Sequence, residues 1–302
     1  MKKIFALFAA LCVAVTVFAG EEPSRDNLIN KQYDFRNFTG LSVSDSFDVE
    51  LRQGNRYDVQ LQLPGYLEPY LRVKVSDDVL YIGLDNLPRK IQQELNRDGA
   101  VLKATVTMPQ LYTLRLSGAV RLRSDDSFKL DNYPFKMQLS GSSRVDQLEV
   151  KGKGKAYVRA SGASSAVLQC SFDEWDVELS GSSGLRQIGG ARKLESDQSG
   201  ASWSVFEGSF EEADVETSGS AKIRITGAVG KLEVDGSGAS SVEVGETQDA
   251  DVELSGASKC KLSVQKRLKV DLTGASSCRY HAPKNLDVEI ETVSRGATLQ
   301  RL

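Results

Sequence analysis

The chain has 302 residues, 40 % hydrophobic and 26 % charged, with a formal net charge of −3. That balance is of an ordinary globular chain and excludes a basic nucleic-acid binder, while the single histidine excludes a histidine-built metal centre. Four cysteines in a chain of this length exclude a disulfide framework as the organising principle.

Lys2 and Lys3 precede an apolar run from Ile4 to Phe18, and Val17-Phe18-Ala19 offers a small-residue cleavage site before Gly20. This is the layout of a secretory signal peptide over residues 1–19; a membrane anchor needs about twenty apolar residues. The mature protein is therefore expected to be exported, to the periplasm or the cell surface, with no transmembrane segment. Export places Cys170, Cys260 and Cys278 where disulfides persist, although an odd number leaves at least one without an intramolecular partner.

Residues 20–34 read as a linker. From 35 to 110 apolar and polar residues alternate, as in "LSVSDSFDVELRQG" and "LRVKVSDDVLYIGL", which is the period of half-buried strands. Pro64-Gly65 marks a turn, and residues 86–100 read as a polar loop. This portion is expected to begin and cap the structure that follows.

From 111 to 302 one phrase recurs, a strand, then Ser-Gly or Thr-Gly with small neighbours, then a second strand. Its glycines are Gly118, Gly141, Gly162, Gly181, Gly200, Gly219, Gly238, Gly256 and Gly274, spaced by 23, 21, four times 19 and twice 18 residues. Aligned on the glycine, the apolar positions form columns. Four residues before it stand Leu114, Met137, Val158, Val177, Ser196, Val215, Val234, Val252 and Val270. Six before it stand Tyr112, Phe135, Ala156, Trp175, Leu194, Ala213, Leu232, Ala250 and Leu268; four after it, Leu122, Val145, Ala166, Leu185, Ser204, Ile223, Val242, Cys260 and Cys278. A unit with one thin apolar face buries it only by stacking on its neighbours, at the strand spacing of about 4.8 Å. The columns thus predict an all-β fold, a parallel β-solenoid with coils of about 18–21 residues, one coil per repeat.

The nine glycines are then structural corners, where glycine tolerates backbone angles closed to other residues. The serines before them, such as Ser180, Ser199, Ser218, Ser237 and Ser255, are placed to bond one another or corner backbone groups. A second corner is expected at Gly189, Gly208, Gly227 and Gly245. In the final stretch "LDVEIETVSRGATL" the column continues as Leu286, Val288 and Ile290, with Thr292 in place of the glycine, as in a terminal capping coil. Cys260 and Cys278 stack in consecutive coils within disulfide reach, but parallel stacking disfavours the bond torsion, so two buried free thiols are expected.

A catalytic role for the corner serines lacks a base, since His281 is the only histidine, so no catalytic residue is assigned. Charge is patterned around the corner. Asp176, Glu178, Glu195, Asp197, Asp214, Glu216, Glu233, Asp235, Asp251 and Glu253 precede the glycines, whereas Arg121, Arg123, Arg144, Arg186, Lys222, Arg224, Lys259, Lys261 and Arg279 follow them. The simplest reading is solubility, with opposite charges relieving each other around the corner. Stacked carboxylates repel, however, and calcium is the one metal whose oxygen chemistry suits such a stripe; no other cofactor is expected.

The run "FTGLSVSDSFDVELRQGNRYDVQL", followed by "LRVKVSDDVLYIGL", "ATVTMPQLYTLRLSGAVRL" and repeated "VELSGAS" and "VDLTGAS" units, resembles the auto-transporter adhesin head-GIN domain family of exported Bacteroidetes proteins, from about Phe35 to Arg295. The resemblance implies a single-stranded right-handed parallel β-helix and an exported location, and it transfers no catalytic residues. The expected function is a non-catalytic adhesion or binding module at the cell envelope, its partner a glycan or an envelope protein. Two alternatives are carried: a carbohydrate-active β-helix hydrolase or lyase working through paired carboxylates, and a periplasmic protein-binding scaffold. The exposed solenoid ends are sites for a homo-oligomer.

Overall fold

The computed structural model describes residues 27–98, 100 and 102–302; the signal peptide expected over 1–19 lies outside the described residues. The N-terminal portion comprises β1 (Leu28–Tyr33), β2 (Gly40–Val43), β3 (Asp48–Gln53), β4 (Asp58–Pro64), β5 (Leu71–Ser76), β6 (Val79–Leu84) and β7 (Lys103–Met108), with a helix, α1 (Arg89–Asp98), between the last two. Corner-flanked pairs follow: β8 (Thr113–Leu116) with β9 (Arg121–Lys129), β10 (Phe135–Leu139) with β11 (Arg144–Lys151), β12 (Lys155–Ala160) with β13 (Ser165–Ser171), β14 (Glu174–Leu179) with β15 (Gly184–Ile188), and β16 (Ala191–Gln198) with β17 (Trp203–Glu207). After β18 (Phe210–Thr217), the long strands β19 (Lys222–Gly236), β20 (Ser241–Leu254) and β21 (Lys259–Leu272) each run from one corner to the next. The chain closes with β22 (Ser277–His281), β23 (Asp287–Val293) and β24 (Thr298–Arg301).

Stacking of these units produces a parallel β-solenoid of about 10 turns with two strand faces. The face that approaches the corner runs β5-β6-β2-β8-β10-β12-β14-β16-β18, then the second halves of β19, β20 and β21, then β23. The face that leaves it runs β1-β4-β7-β3-β9-β11-β13-β15-β17, then the first halves of the long strands, then β22 and β24. Among the described residues antiparallel pairing occurs only at the N-terminal end, in β1–β4, β4–β7 and β5–β6.

The apolar columns are the core. Trp175, Leu194, Ala213, Leu232, Ala250 and Leu268 stand in register on consecutive coils, and all are buried. A polar stretch interrupts them, where Gln198 donates to Ser196 Oγ at 3.1 Å and to Ser204 Oγ inside the coil. Cys260 lies over Cys278, both buried and free, and Cys170 is also free. Hydrogen bonding from its neighbour and burial push the Cys260 thiol well up, and burial pushes that of Cys170 to about 12, so all behave as small apolar rungs.

Each of the nine corner glycines has φ between +66° and +79°. A Cβ added there would lie 2.5–2.8 Å from the carbonyl oxygen of the corner beneath. Glycine is therefore required twice over, by the left-handed backbone and by the approach of one coil to the next. The first corner has no glycine; Asp45 occupies it at φ +71°, and its carboxylate accepts from the Leu84 amide at 2.7 Å. At the other end the corner falls at Arg295 and Gly296, with Arg295 at the register position over Gly274, and not at Thr292. A register shift after Ile290 inserts one residue, so Val288 lies over Leu268 and Ile290 over Val270, while Leu286 precedes the strand.

Three further expectations are corrected. Residues 28–33, read as linker, form β1 and pair antiparallel with β4. The stretch 86–100, read as a loop, contains α1, which sends Leu95 into the core beside the half-buried Leu87 and Ile91. The second corner is a true break at Gly189 and Gly208, but at Gly227 and Gly245 the strand continues through a bulge.

Candidate functional site

A large concavity runs along the corner. It is a groove of about 1080 Å³, lined on most coils by the two residues immediately before the corner serine and the serine itself. Its floor is the residues two before each glycine, from Leu116 to Leu254, mostly small or apolar apart from Gln198 and Thr217. One wall is the serine row, from Ser117 and Ser140 through Ser255 to Thr273. The other is the outward residue three before each glycine: Arg115, Gln138, Arg159, Glu178, Asp197, Glu216, Asp235, Glu253 and Asp271. The groove is thus basic at its first coils and acidic over the last six.

Strand period explains the wall. Residues three and five before the glycine share the outer face, whereas those two, four and six before it turn inward. The acidic stripe predicted from the sequence is therefore two columns with different partners. In the column five before the glycine, Asp176 and Glu195 meet Lys155 at 3.1 and 3.0 Å, Glu195 also meets Lys193, Glu233 meets Lys231, and Asp251 lies 3.4 Å from Lys269. Hydrogen bonds from Lys193 and then Lys155 hold Glu195 below the usual carboxylate range. In the groove column only Glu178 has an ion pair among the described residues, with Arg159 at 2.8 Å. Asp197, Glu216, Asp235, Glu253 and Asp271 have none.

The cations expected to relieve them around the corner lie on the other face, and five of the nine bond there. Arg121 pairs with Asp146, Arg123 with Asp125, Arg186 with Glu207, and Arg224 and Lys261 with Glu243. The groove carboxylates consequently repel one another. Burial, then Glu178, raises Asp197, and burial, then Asp251, raises Asp235. For Glu216 and Glu253 the larger cause is the carboxylate one coil earlier, Asp197 and Asp235 respectively, with burial second. Asp214, beside the groove, is raised by burial and then by Glu233. Among the described residues no three acidic, histidine or cysteine side chains converge closely enough to hold a metal ion.

The hydroxyls divide in a way that the sequence phrase conceals. The serine two residues after the glycine points inward and ties the corner: Ser183 Oγ donates to Ala160 O at 3.1 Å, and Ser258 Oγ to Gly236 O at 3.1 Å or Ser255 O at 2.8 Å. Most serines before the glycine instead face the groove, with Ser237 bonded back to Thr217 O at 3.3 Å. His281, on β22, does not line the groove, so no histidine stands beside these serines. The lining contains no aromatic ring; Trp203, 41 % exposed, projects from the other face. Among the described residues no helix is long and apolar enough to cross a membrane.

No curated protein matches the chain. The crystal structure of a putative adhesin from Parabacteroides distasonis is similar over 92 % of this chain and 98 % of its own, with a TM-score of 0.53 at 14 % identity, which shows the fold. A second structure from that organism, described as a putative lipid binding protein, is similar over 92 % of this chain and 97 % of its own, at 14 % identity and a TM-score of 0.48. The family profile described as "Putative auto-transporter adhesin, head GIN domain" matches residues 37–204 and 190–282. With the stacked corners running through both matched stretches, the chain belongs to this head GIN domain family.

Proposed function

We propose that the protein is a non-catalytic binding module, acting in adhesion at the cell envelope, that holds an extended ligand along the corner groove. The observation that carries this reading is the row of carboxylates from Asp197 to Asp271, left without cations while Arg121, Arg186 and Arg224 of the basic flank pair on their own face. Stacked carboxylates without compensation destabilise a sheet, so a groove that keeps them is suited to a ligand that supplies the compensation. Each coil presents one hydroxyl and one charged or amide group at a spacing of about 4.8 Å, which fits a polymer with repeated polar groups. Family membership and the adhesin fold support the same role. A glycan strand meets the hydroxyls and carboxylates through its own hydroxyls, with calcium as a bridging ion between ligand and carboxylate. The second reading, a basic extended segment of an envelope protein, is favoured by the acidic stretch alone.

The test is a glycan array and polysaccharide pull-down with the purified protein, with calcium and again with chelator, beside a lysine-rich peptide as the basic probe. Reversal of charge in Glu216→Lys with Asp235→Lys is expected to abolish capture of whichever ligand binds. Capture that survives this double change places the ligand elsewhere and refutes the groove as the site.

A further inference from the structure

Among the described residues the last coil has no cover: β23 pairs only with β21, and β24 only with β22. Ile290 stacks on the fully buried Val270 yet is 56 % exposed, and Val293 and Leu302 are also exposed. Asp287 and Glu289 point outward with no ion pair among the described residues, and Glu291 pairs with Lys269 at 3.1 Å.

The opposite end of the same sheet is β5, paired among the described residues only with β6 and running against the direction of the stack. Leu71, Val73 and Val75 face inward, half-buried, in register with Leu84, Ile82 and Leu80. Arg72 and Lys74 face outward, and Lys74 has no ion pair among the described residues. One edge is therefore apolar inside and acidic outside, and the other is apolar inside and basic outside.

We propose that β23 of one copy docks antiparallel onto β5 of a second copy, so that the protein assembles head to tail along its own axis. One register satisfies both faces. It sets Val288 against Val75 and Ile290 against Val73 inside, with Glu289 against Lys74 and Glu291 against Arg72 outside. Opposite charges directly across a strand pair stabilise it, and like charges destabilise it. Tail-to-tail pairing of β23 with itself sets carboxylate against carboxylate, and head-to-head pairing of β5 sets cation against cation, so the charges select the head-to-tail arrangement. Such a contact is heterologous and propagates as a linear chain when rotation does not close it. The other sheet adds no comparable match. Its first strand, β1, carries Lys31 at the inward register position opposite Leu61, held by Glu68, a device that guards an edge. The junction therefore rests on the approach sheet.

The test is sedimentation velocity of the purified protein across a concentration series. Mass is expected to rise with concentration, and the rise to weaken as salt shortens the screening length from about 10 Å at 0.1 M to about 3 Å at 1 M. Glu289→Lys or Lys74→Glu alone is expected to weaken association roughly tenfold, with an unchanged melting curve. An equimolar mixture of the two variants is expected to restore it, because each junction in an alternating chain again joins opposite charges. A protein that stays monomeric overturns the proposal, and hydrogen exchange at β23 then separates the remaining occupants: protected amides mean a segment of the same chain, open amides a different protein. Association indifferent to both reversals, or a mixture that fails to recover, overturns it as well.

Discussion

Replacing Gly219 by alanine and by valine tests the corner most directly. Gly219 has φ +66°, where a residue with a Cβ costs about 1–2 kcal/mol. The added Cβ would lie 2.8 Å from Gly200 O and 3.0 Å from Gly200 N, both backbone atoms of the coil beneath. That same carbonyl accepts the Ser220 amide at 2.7 Å, so the clash is relieved only by opening this hydrogen bond, at about 0.5–1.5 kcal/mol. Alanine also narrows the unfolded ensemble, which returns about 0.4–1 kcal/mol. The sum for Gly219→Ala is a loss of about 1–3 kcal/mol, and for the branched valine about 3 kcal/mol or more. Urea unfolding followed by circular dichroism measures it, with the exposed neighbour Ser220→Ala expected within about 0.5 kcal/mol of the parent. Hydrogen exchange at the Ser220 amide reports whether the loss is local, as a stack of nearest-neighbour units allows. A Gly219→Ala protein as stable as the parent would refute both the steric and the backbone argument.

Two further outcomes follow from the same coordinates. Ser202 and Ser258 occupy equivalent inward positions, but Ser202 Oγ has no partner while Ser258 Oγ has two acceptors. Ser202→Ala is expected to stabilise by about 1 kcal/mol and Ser258→Ala to destabilise by about 1 kcal/mol in the same unfolding assay, and equal effects would contradict the hydroxyl assignment. In pH dependence, the raised carboxylates of Asp197, Glu216, Asp235 and Glu253 bind protons more readily folded than unfolded. The melting midpoint should therefore rise as pH falls from neutrality toward the ordinary carboxylate range near about 4, then fall as the depressed Glu195 is protonated and loses its lysines. Glu216→Gln with Asp235→Asn should flatten the rise; a midpoint that drops steadily from neutral pH would show that repulsion in the groove is negligible.

The fold was legible because its two signals are periodic. Alternation in stretches such as Trp175-Asp176-Val177-Glu178-Leu179 assigns an inside, and recurrence of glycine sets one coil on the next. Where a local device breaks the period, the signal fails. The first corner was hidden because Asp45 adopts the left-handed conformation that glycine supplies elsewhere, and the last because a bulge after Ile290 moves the corner to Arg295, where there is no glycine. The β5–β6 turn was likewise set by Asp77 and Asp78, both at positive φ. Helix α1 is mostly polar, although Leu87, Ile91 and Leu95 recur every four residues and could have revealed it. The groove's residues were visible as an acidic stripe and a serine row, but its concavity was not. Nor was the pairing of Arg121, Arg186 and Arg224 on their own face, since that depends on how far long side chains reach between coils.

Glycine stands over glycine at every corner from Gly118 to Gly274, although the intervals between them vary from 18 to 23 residues. Differences in coil length are absorbed at the far bend, in the register shifts of β9–β11, β19–β20 and β20–β21. The corner edge is in effect a ruler. Its graduations, from Ser117 to Thr273, are eight steps of one coil each, about 38 Å in all at about 4.8 Å per step. Duplication or loss of a single coil would lengthen or shorten the scale by one graduation and leave every other mark in place, so reach can change in evolution without redesign of the site.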